Sequence, residues 1–194
     1  MATNGMAGVA SGVAAHTTTP HTAELGRIPG SMIYRNIDRY PVEACPQVGI
    51  LRIDAPLYYA NARFLEDRID EMFADRPQMR MLTLDFASVN DMDATAVLSL
   101  GRVVARLRER GKDLHIVSAI GPVRDLLQRS GLTEQIGEAN LHRTILEAAP
   151  KLVAAVSREY CESTCQVAAF PECTTIPRGR LTKKVEADRA AASA

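Results

Sequence analysis

Long apolar runs are missing from this chain: nowhere do about 18 consecutive apolar residues occur, so it contains no helix able to span a bilayer by itself. Charge of one sign is missing too. The 23 basic side chains balance 23 acidic ones, which argues against a strongly basic nucleic-acid binder. Cysteine is scarce: the four residues Cys45, Cys161, Cys165 and Cys173 are too few and too unevenly spaced for a secreted disulfide framework, and a reducing setting fits them better. The start has neither the basic flank and unbroken apolar stretch of a secretory signal nor the arginines of a transit peptide. Reactive motifs are missing as well: there is no G-x-S-x-G elbow, Walker A loop, G-x-G-x-x-G, H-E-x-x-H or Cys-x2-Cys pair, so no constellation supports an enzyme or calls for a cofactor or metal.

What remains describes an ordinary globular protein of 194 residues, 46% apolar and 24% charged. A compact part of ~120 residues can bury about two-thirds of its unfolded surface without metal or disulfide staples. Met1 to Thr22 carries no charged side chain and no periodicity, so residues 1–24 are expected to form a disordered low-complexity tail. Residues 25–47, punctuated by Pro29, Gly30, Pro41 and Pro46, read as an extended lead-in with an edge strand at Met32 to Asn36.

Val48 to Asp54 and Leu57 to Ala60 read as strands split by Pro56. Asn61 is expected to cap a helix carrying Ala62, Leu65, Ile69, Met72 and Phe73 on one face, ended by Pro77. Met81 to Phe86 reads as a strand covered on both faces. A second helix runs from about Ala94 to Arg110 between an Asp93 cap and a Gly111 stop, with a stripe of Val97, Leu100, Val104 and Leu107. Leu114 to Ser118 reads as a strand, and Gly121-Pro122 opens a short helix closed by Gly131. Thr133 to Ile136 is expected as a last small strand, and Asn140 as the cap of a helix through Ile145 and Ala148. Alternating strands and helices predict an α/β domain over 25–150, a mostly parallel or mixed sheet of about 4–6 strands with about 4 helices packed on it. Residues 151–194 are expected to form a mobile carboxy-terminal tail.

In such a sheet the strand carboxyl ends and helix starts form the crevice where ligands bind. Here that rim carries Asp54, Asp85, Asp91 and Asp93, with Ser88, Asn90 and Thr95 nearby. Asp54 and Asp85 are candidate rim ligands, but strand ends and caps explain them better, since no ligand spacing sets the cluster apart. Thr95 lies where a helix start favours a phosphate. Arg102, Arg106 and Arg110 form a basic line that could meet an acidic partner or lipid head groups, but with zero net charge and Glu109 alongside it reads better as a solvated face. Cys161, Cys165 and Cys173 lack a fourth ligand at a recognised metal spacing, and His115 reads as structural.

The segments IPGSMIYRNIDRYP at 28–41, GILRIDAPLYYAN at 49–61, LTLDFASVNDMDATA at 82–96 and SGLTEQIGEANLHRTILEA at 130–148 resemble the carboxy-terminal STAS domain of plant-type, proton-coupled sulfate permeases. STAS stands for sulfate transporters and anti-sigma factor antagonists. The resemblance implies a STAS fold and a non-catalytic regulatory, protein-interaction domain on the cytosolic side of a carrier, supporting sulfate transport by docking partners. It implies as partners the membrane domain of a sulfate permease, in cis or trans, and cysteine-biosynthesis enzymes, with no nucleic acid and no direct insertion into the membrane.

The same resemblance places the regulatory site at the turn before the second helix, here Asp93-Ala94-Thr95-Ala96, with Arg102 further along the helix. In the family a serine or threonine directly follows the Asp and is phosphorylated; here it is Ala94, and Thr95 holds only the neighbouring hydroxyl. The chain is expected to be either a cytosolic piece of a carrier or a free-standing product of the same lineage. The alternative is a free-standing phospho-switch module resembling the anti-sigma factor antagonists. A nucleotide-binding or hydrolytic protein is a third class that rests on fold analogy alone.

Overall fold

A computed structural model describes residues 18–177. Its sheet has six strands in the order β2-β1-β3-β4-β5-β6, namely β1 (Thr22–Arg27), β2 (Tyr34–Asn36), β3 (Val48–Ile53), β4 (Met81–Asp85), β5 (Asp113–Val117) and β6 (Leu141–His142). β3 to β6 run parallel, while β1 lies antiparallel to β3 and β2 antiparallel to β1. The mixed α/β sheet expected from the alternating pattern is therefore present, with its parallel part joined by helical crossovers.

Alternation along the central strands divides the core into two layers. Leu51, Leu82, Leu84, Leu114 and Ile116 face α1 (Tyr59–Asp75), α2 (Ala94–Glu109) and α3 (Gly121–Arg129). Val48, Ile50, Met81 and Val117 face the other way, onto α5 (Ile145–Ala155) through Ala148, Ala149 and Leu152. On that second face His115 of β5 is 2% exposed, and its Nδ1 lies 3.2 Å from Nε2 of His142 on β6. The rings are 10° from parallel with centroids 5.5 Å apart. That separation matches the N···N distance plus one ring radius at each end, so the two imidazoles meet edge to edge along a hydrogen bond rather than face to face. Burial, then the charges of His142 and Lys151, push the His115 pKa down to about 4.

Several expectations are corrected. Leu57 to Ala60 is not a strand: Leu57 forms a single bridge to Met92, and α1 has begun by Tyr59. Asn61 is inside that helix rather than capping it. Fully buried, it donates from Nδ2 to Pro56 O (2.9 Å) and accepts at Oδ1 from Tyr58 N (3.0 Å), fixing the preceding turn from within.

Thr133 to Ile136 belongs to α4 (Leu132–Ile136), not to a strand. Gly131 at φ +74° starts this turn, and the buried pair Leu132 and Ile136 sits at helical i,i+4 spacing. Asn140 does not cap the last helix, since its Nδ2 donates to Ile136 O. The cap of α5 is Thr144, whose Oγ1 accepts from Glu147 N at 3.1 Å after the short strand β6.

The two ends also differ from expectation. Thr22 to Glu24, placed by sequence in the amino-terminal tail, belongs to β1, with Ala23 and Leu25 buried; residues 1–17 lie outside the described residues. Residues 157–177, placed in the mobile tail, form a packed strap that includes α6 (Arg158–Ser163). Phe170 is 1% exposed and packs with its ring centroid 6.3 Å from that of Tyr34. The buried Arg27 donates from Nε to Ala168 O at 3.0 Å, with Nη2 on the same oxygen, and Tyr34 Oη donates to Ala169 O. Gln47 accepts from Ser157 N at 2.9 Å. Weak periodicity hid these contacts, because they are made by backbone carbonyls and a few large side chains.

Candidate functional site

The site expected at the rim rests on two loops that leave the carboxyl ends of β3 and β4. Leu57 N donates to Asp91 O, and Asp93 N donates to Leu57 O, both at 3.0 Å. This bridge draws the first turns of α1 and α2 together. Asp93, in extended backbone conformation, then serves both: Oδ1 accepts from Ala96 N at 2.8 Å and Oδ2 from Tyr59 N at 2.9 Å. A carboxylate is the fitting side chain here, because two sets of unpaired amides and two positive helix ends meet at it.

Around this shared cap, Ala94 and Thr95 are exposed and Ala96 is buried at 4%. Two large apolar side chains stand in solvent: Tyr59 at 75%, whose backbone amide is bonded to Asp93, and Leu98 at 65%, five residues further along the chain from Asp93. Leu98 follows the buried Val97 but faces outward, and it opens a groove of about 520 Å³ lined also by Gly101, Ala105, Arg108, Leu132 and Gln135. Sequence reasoning missed both. The available signal was a leucine one position off the buried stripe, which helical rotation carries out of the core.

The other predicted residues are not gathered at this cap. Arg102 and Arg106 reach across to Glu66 of α1, with Arg102 Nη2 2.7 Å from Oε1 and Arg106 Nη1 3.3 Å from Oε2. Ser99 Oγ donates to the same carboxylate. Burial alone would raise the Glu66 pKa, yet these donors hold it below the usual carboxylate range. Arg102 is thus engaged within the fold while 60% of its side chain stays exposed.

Asp54 is held by Nε and Nη2 of Arg52 (2.7 and 2.9 Å), by His21 at 2.7 Å and by Ser88. Burial opposes ionisation there, but the Arg52 and His21 bonds lower its pKa. Asp85 is buried and accepts from Ala87 N at 3.1 Å, while Asp91 accepts from Met92 N. Each carboxylate terminates its own loop. Among the described residues no group of three or more His, Cys, Asp or Glu side chains is placed to hold a metal ion. None of the helices described is long and apolar enough to cross a membrane.

The model of the STAS domain family matches residues 39–148. Among curated relatives, "Probable sulfate transporter 3.4" of Arabidopsis thaliana is 30% identical over 147 residues, which is 71% of this chain and 22% of that protein. "High affinity sulfate transporter 2" of Stylosanthes hamata is 30% identical over 141 residues, 68% of this chain and 21% of that protein. The chain spans about a fifth of the length of these relatives. Among solved structures, the murine Solute Carrier 26 family member A9 anion transporter in the inward-facing state superposes with a TM-score of 0.66 at 19% identity, over 75% of this chain and 24% of that one. At that identity the likeness concerns the fold.

Proposed function

Because the chain belongs to the STAS domain family, we propose that it is a non-catalytic regulatory and protein-interaction domain acting on a sulfate transporter, and that it works by docking partners at the rim around Asp93. Its first partner is the membrane domain of a sulfate permease, in cis or in trans, which places it on the cytosolic side of that membrane. Cysteine-biosynthesis enzymes are further partners of the same surface. The observation that carries this reading is the pairing of a rigid turn with exposed apolar side chains. Asp93 fixes two helix starts, and Leu98 stands 65% exposed on the first turns of α2 beside an open groove. Leu98 and the apolar wall of that groove, Val104, Ala105 and Leu132, form one patch beside Arg102 and Arg108, and an apolar patch rimmed by polar side chains is the kind of surface a partner covers.

The partner-contacting residues in this reading are Thr95, Leu98 and Tyr59, with Arg102 at the margin; Asp93 positions them. The test is sulfate uptake by cells that make the membrane part of a plant sulfate transporter together with this chain. Uptake should rise with the wild-type chain and fall several-fold with Leu98→Asp. Equal uptake with both, at equal expression, removes the reading.

A second reading, the phospho-switch module, is supported by the exposed Thr95 on the first turn of α2. A phosphate there meets the positive end of the helix but also the Asp93 carboxylate. Mass spectrometry of the chain from cells under sulfur-replete and sulfur-starved conditions tests it. Modified Thr95 supports the switch, and unmodified Thr95 under both conditions removes it.

A further inference from the structure

The described residues expose eight large apolar side chains, and four of them, Met32, Ile33, Ile37 and Tyr40, fall within residues 32–40, on the lead-in around the edge strand β2; Met32 is the most exposed of the four at 58%. The ladder between β1 and β2 places them. Its register pairs Gly26 with Arg35, and it runs on past each end of β2, since Ile28 N donates to Ile33 O at 2.9 Å and Ile37 N to Glu24 O at 3.0 Å. Ile33, Arg35 and Ile37 therefore line one face of the edge, opposite Tyr34, which faces the strap and packs on Phe170. Met32 stands in the turn closed by Ile28 and Ile33, and Tyr40 in the turn that its amide closes on Asn36 O. Arg35 and Arg39 are exposed between these apolar positions, against one exposed acid, Asp38.

We propose that this edge is a lipid-binding surface, which rests on the headgroups of an anionic bilayer with Met32 and Ile33 at the apolar boundary and Arg35 and Arg39 at the phosphates. The contact is peripheral, and it lies apart from the rim at Asp93 and stands independently of docking there. Apolar tips with arginines between them and a tyrosine alongside suit the boundary between hydrocarbon and headgroup, because an arginine stem and a tyrosine ring each join an apolar body to a polar end. Charge agrees with this. The strap packs on Tyr34 of β2 through Phe170, and beyond Pro177 the chain continues with residues 178–184, which carry four basic side chains and no acidic one, the sign that an anionic surface attracts.

A second copy of the chain or an extended peptide is the other occupant that an edge strand invites. Here the carbonyls such a strand would use are already taken: Tyr34 O accepts from Arg35 Nη1 at 3.0 Å, and Asn36 O from the Arg39 and Tyr40 amides at 3.2 and 3.1 Å. β2 is also only three residues long. Adding a strand would break these bonds, whereas lying on a lipid surface breaks none.

The test is co-sedimentation of the full chain with vesicles of phosphatidylcholine alone and with about one-third phosphatidylserine added, at low salt and at about 0.5 M salt. Binding should need the anionic lipid and should weaken about tenfold or more at the higher salt. The double variant Met32→Ser with Ile33→Ser, at exposed positions and with matched circular dichroism, should weaken binding about tenfold, and so should Arg35→Glu with Arg39→Glu. Lys183→Glu with Lys184→Glu probes the basic stretch by itself and should leave binding that still responds to the Met32→Ser, Ile33→Ser change. Binding untouched by both lead-in variants but lost in the Lys183→Glu, Lys184→Glu chain would assign the contact to that stretch alone and overturn the proposal. No binding to either vesicle, equal binding to both, or dimers in solution that the lead-in variants dissociate would also overturn it.

Discussion

Asp93 and Tyr59 are joined by a 2.9 Å hydrogen bond from the Tyr59 amide to Asp93 Oδ2, while Asp93 Oδ1 caps its own helix through Ala96. A single carboxylate therefore ties α1 to α2. Removing it leaves amides of two helices unpaired at once, and each lost cap costs about 1 kcal/mol. Asp93→Ala should lower the unfolding free energy by roughly 2–3 kcal/mol in urea titrations. Asp93→Asn should cost less, because the amide keeps one acceptor oxygen and loses one with the charge. Substitutions here test the fold rather than the docking surface, and Thr95 and Leu98 report on docking more cleanly.

The cross-helix carboxylate Glu66 behaves differently from its partners. Its side chain is 8% exposed, whereas that of Arg102 is 60% exposed. Arg102→Ala should change stability by less than about 1 kcal/mol, in the range of exposed ion pairs. Glu66→Ala should cost about 2–4 kcal/mol, because Ser99 and Arg106 lose the acceptor they point at. Equilibrium denaturation of the two variants side by side checks the ordering.

Phe170 offers a sharp test of the strap. Phe170→Ala should destabilise the chain by about 3–5 kcal/mol, the cost of emptying a fully buried aromatic site. A residue in an unpacked tail would change stability by less than about 0.5 kcal/mol. Thermal or urea unfolding distinguishes the two.

The buried imidazole predicts a pH dependence. His115 has a folded pKa of about 4 against an ordinary value of 6.5, so the folded state resists its protonation. Its contribution is fully present above pH 6.5 and is lost as pH falls from 6.5 towards 4, by at most about 3 kcal/mol. His142, also lowered chiefly by burial, adds in the same direction. Glu24, raised by burial, acts oppositely by favouring the protonated form in the fold. The difference between wild type and His115→Gln cancels the Glu24 effect and should show the slope directly, flattened in the variant between pH 4 and 6.5.

Central elements were legible in the sequence because their patterns are local. The stripe of Val97, Leu100, Val104 and Leu107, capped by Asp93, defines α2 without help from the rest of the chain. Elements of a few residues were not. LTEQI carries one apolar pair whose spacing reveals a helix only once Gly131 is seen to turn into it. β1 and the strap were hidden for another reason: their stability comes from distant partners such as Arg27 and Ala168, which no window of sequence contains. The site was half legible. The turn at Asp93 stood out, but its second role towards Tyr59 needed the Leu57–Met92 bridge, and Glu66 as the partner of Arg102 needed the packing of α1 on α2.

The docking claim is tested most directly by the affinity of the purified chain for the detergent-solubilised membrane part of a plant sulfate transporter, measured for wild type and Leu98→Asp with matched circular dichroism. The expected result is saturable binding by the wild type and a Kd at least about tenfold weaker for the variant, a loss of about 1.4 kcal/mol from one apolar anchor. Equal Kd values for the two proteins, or no binding by either, would contradict the account.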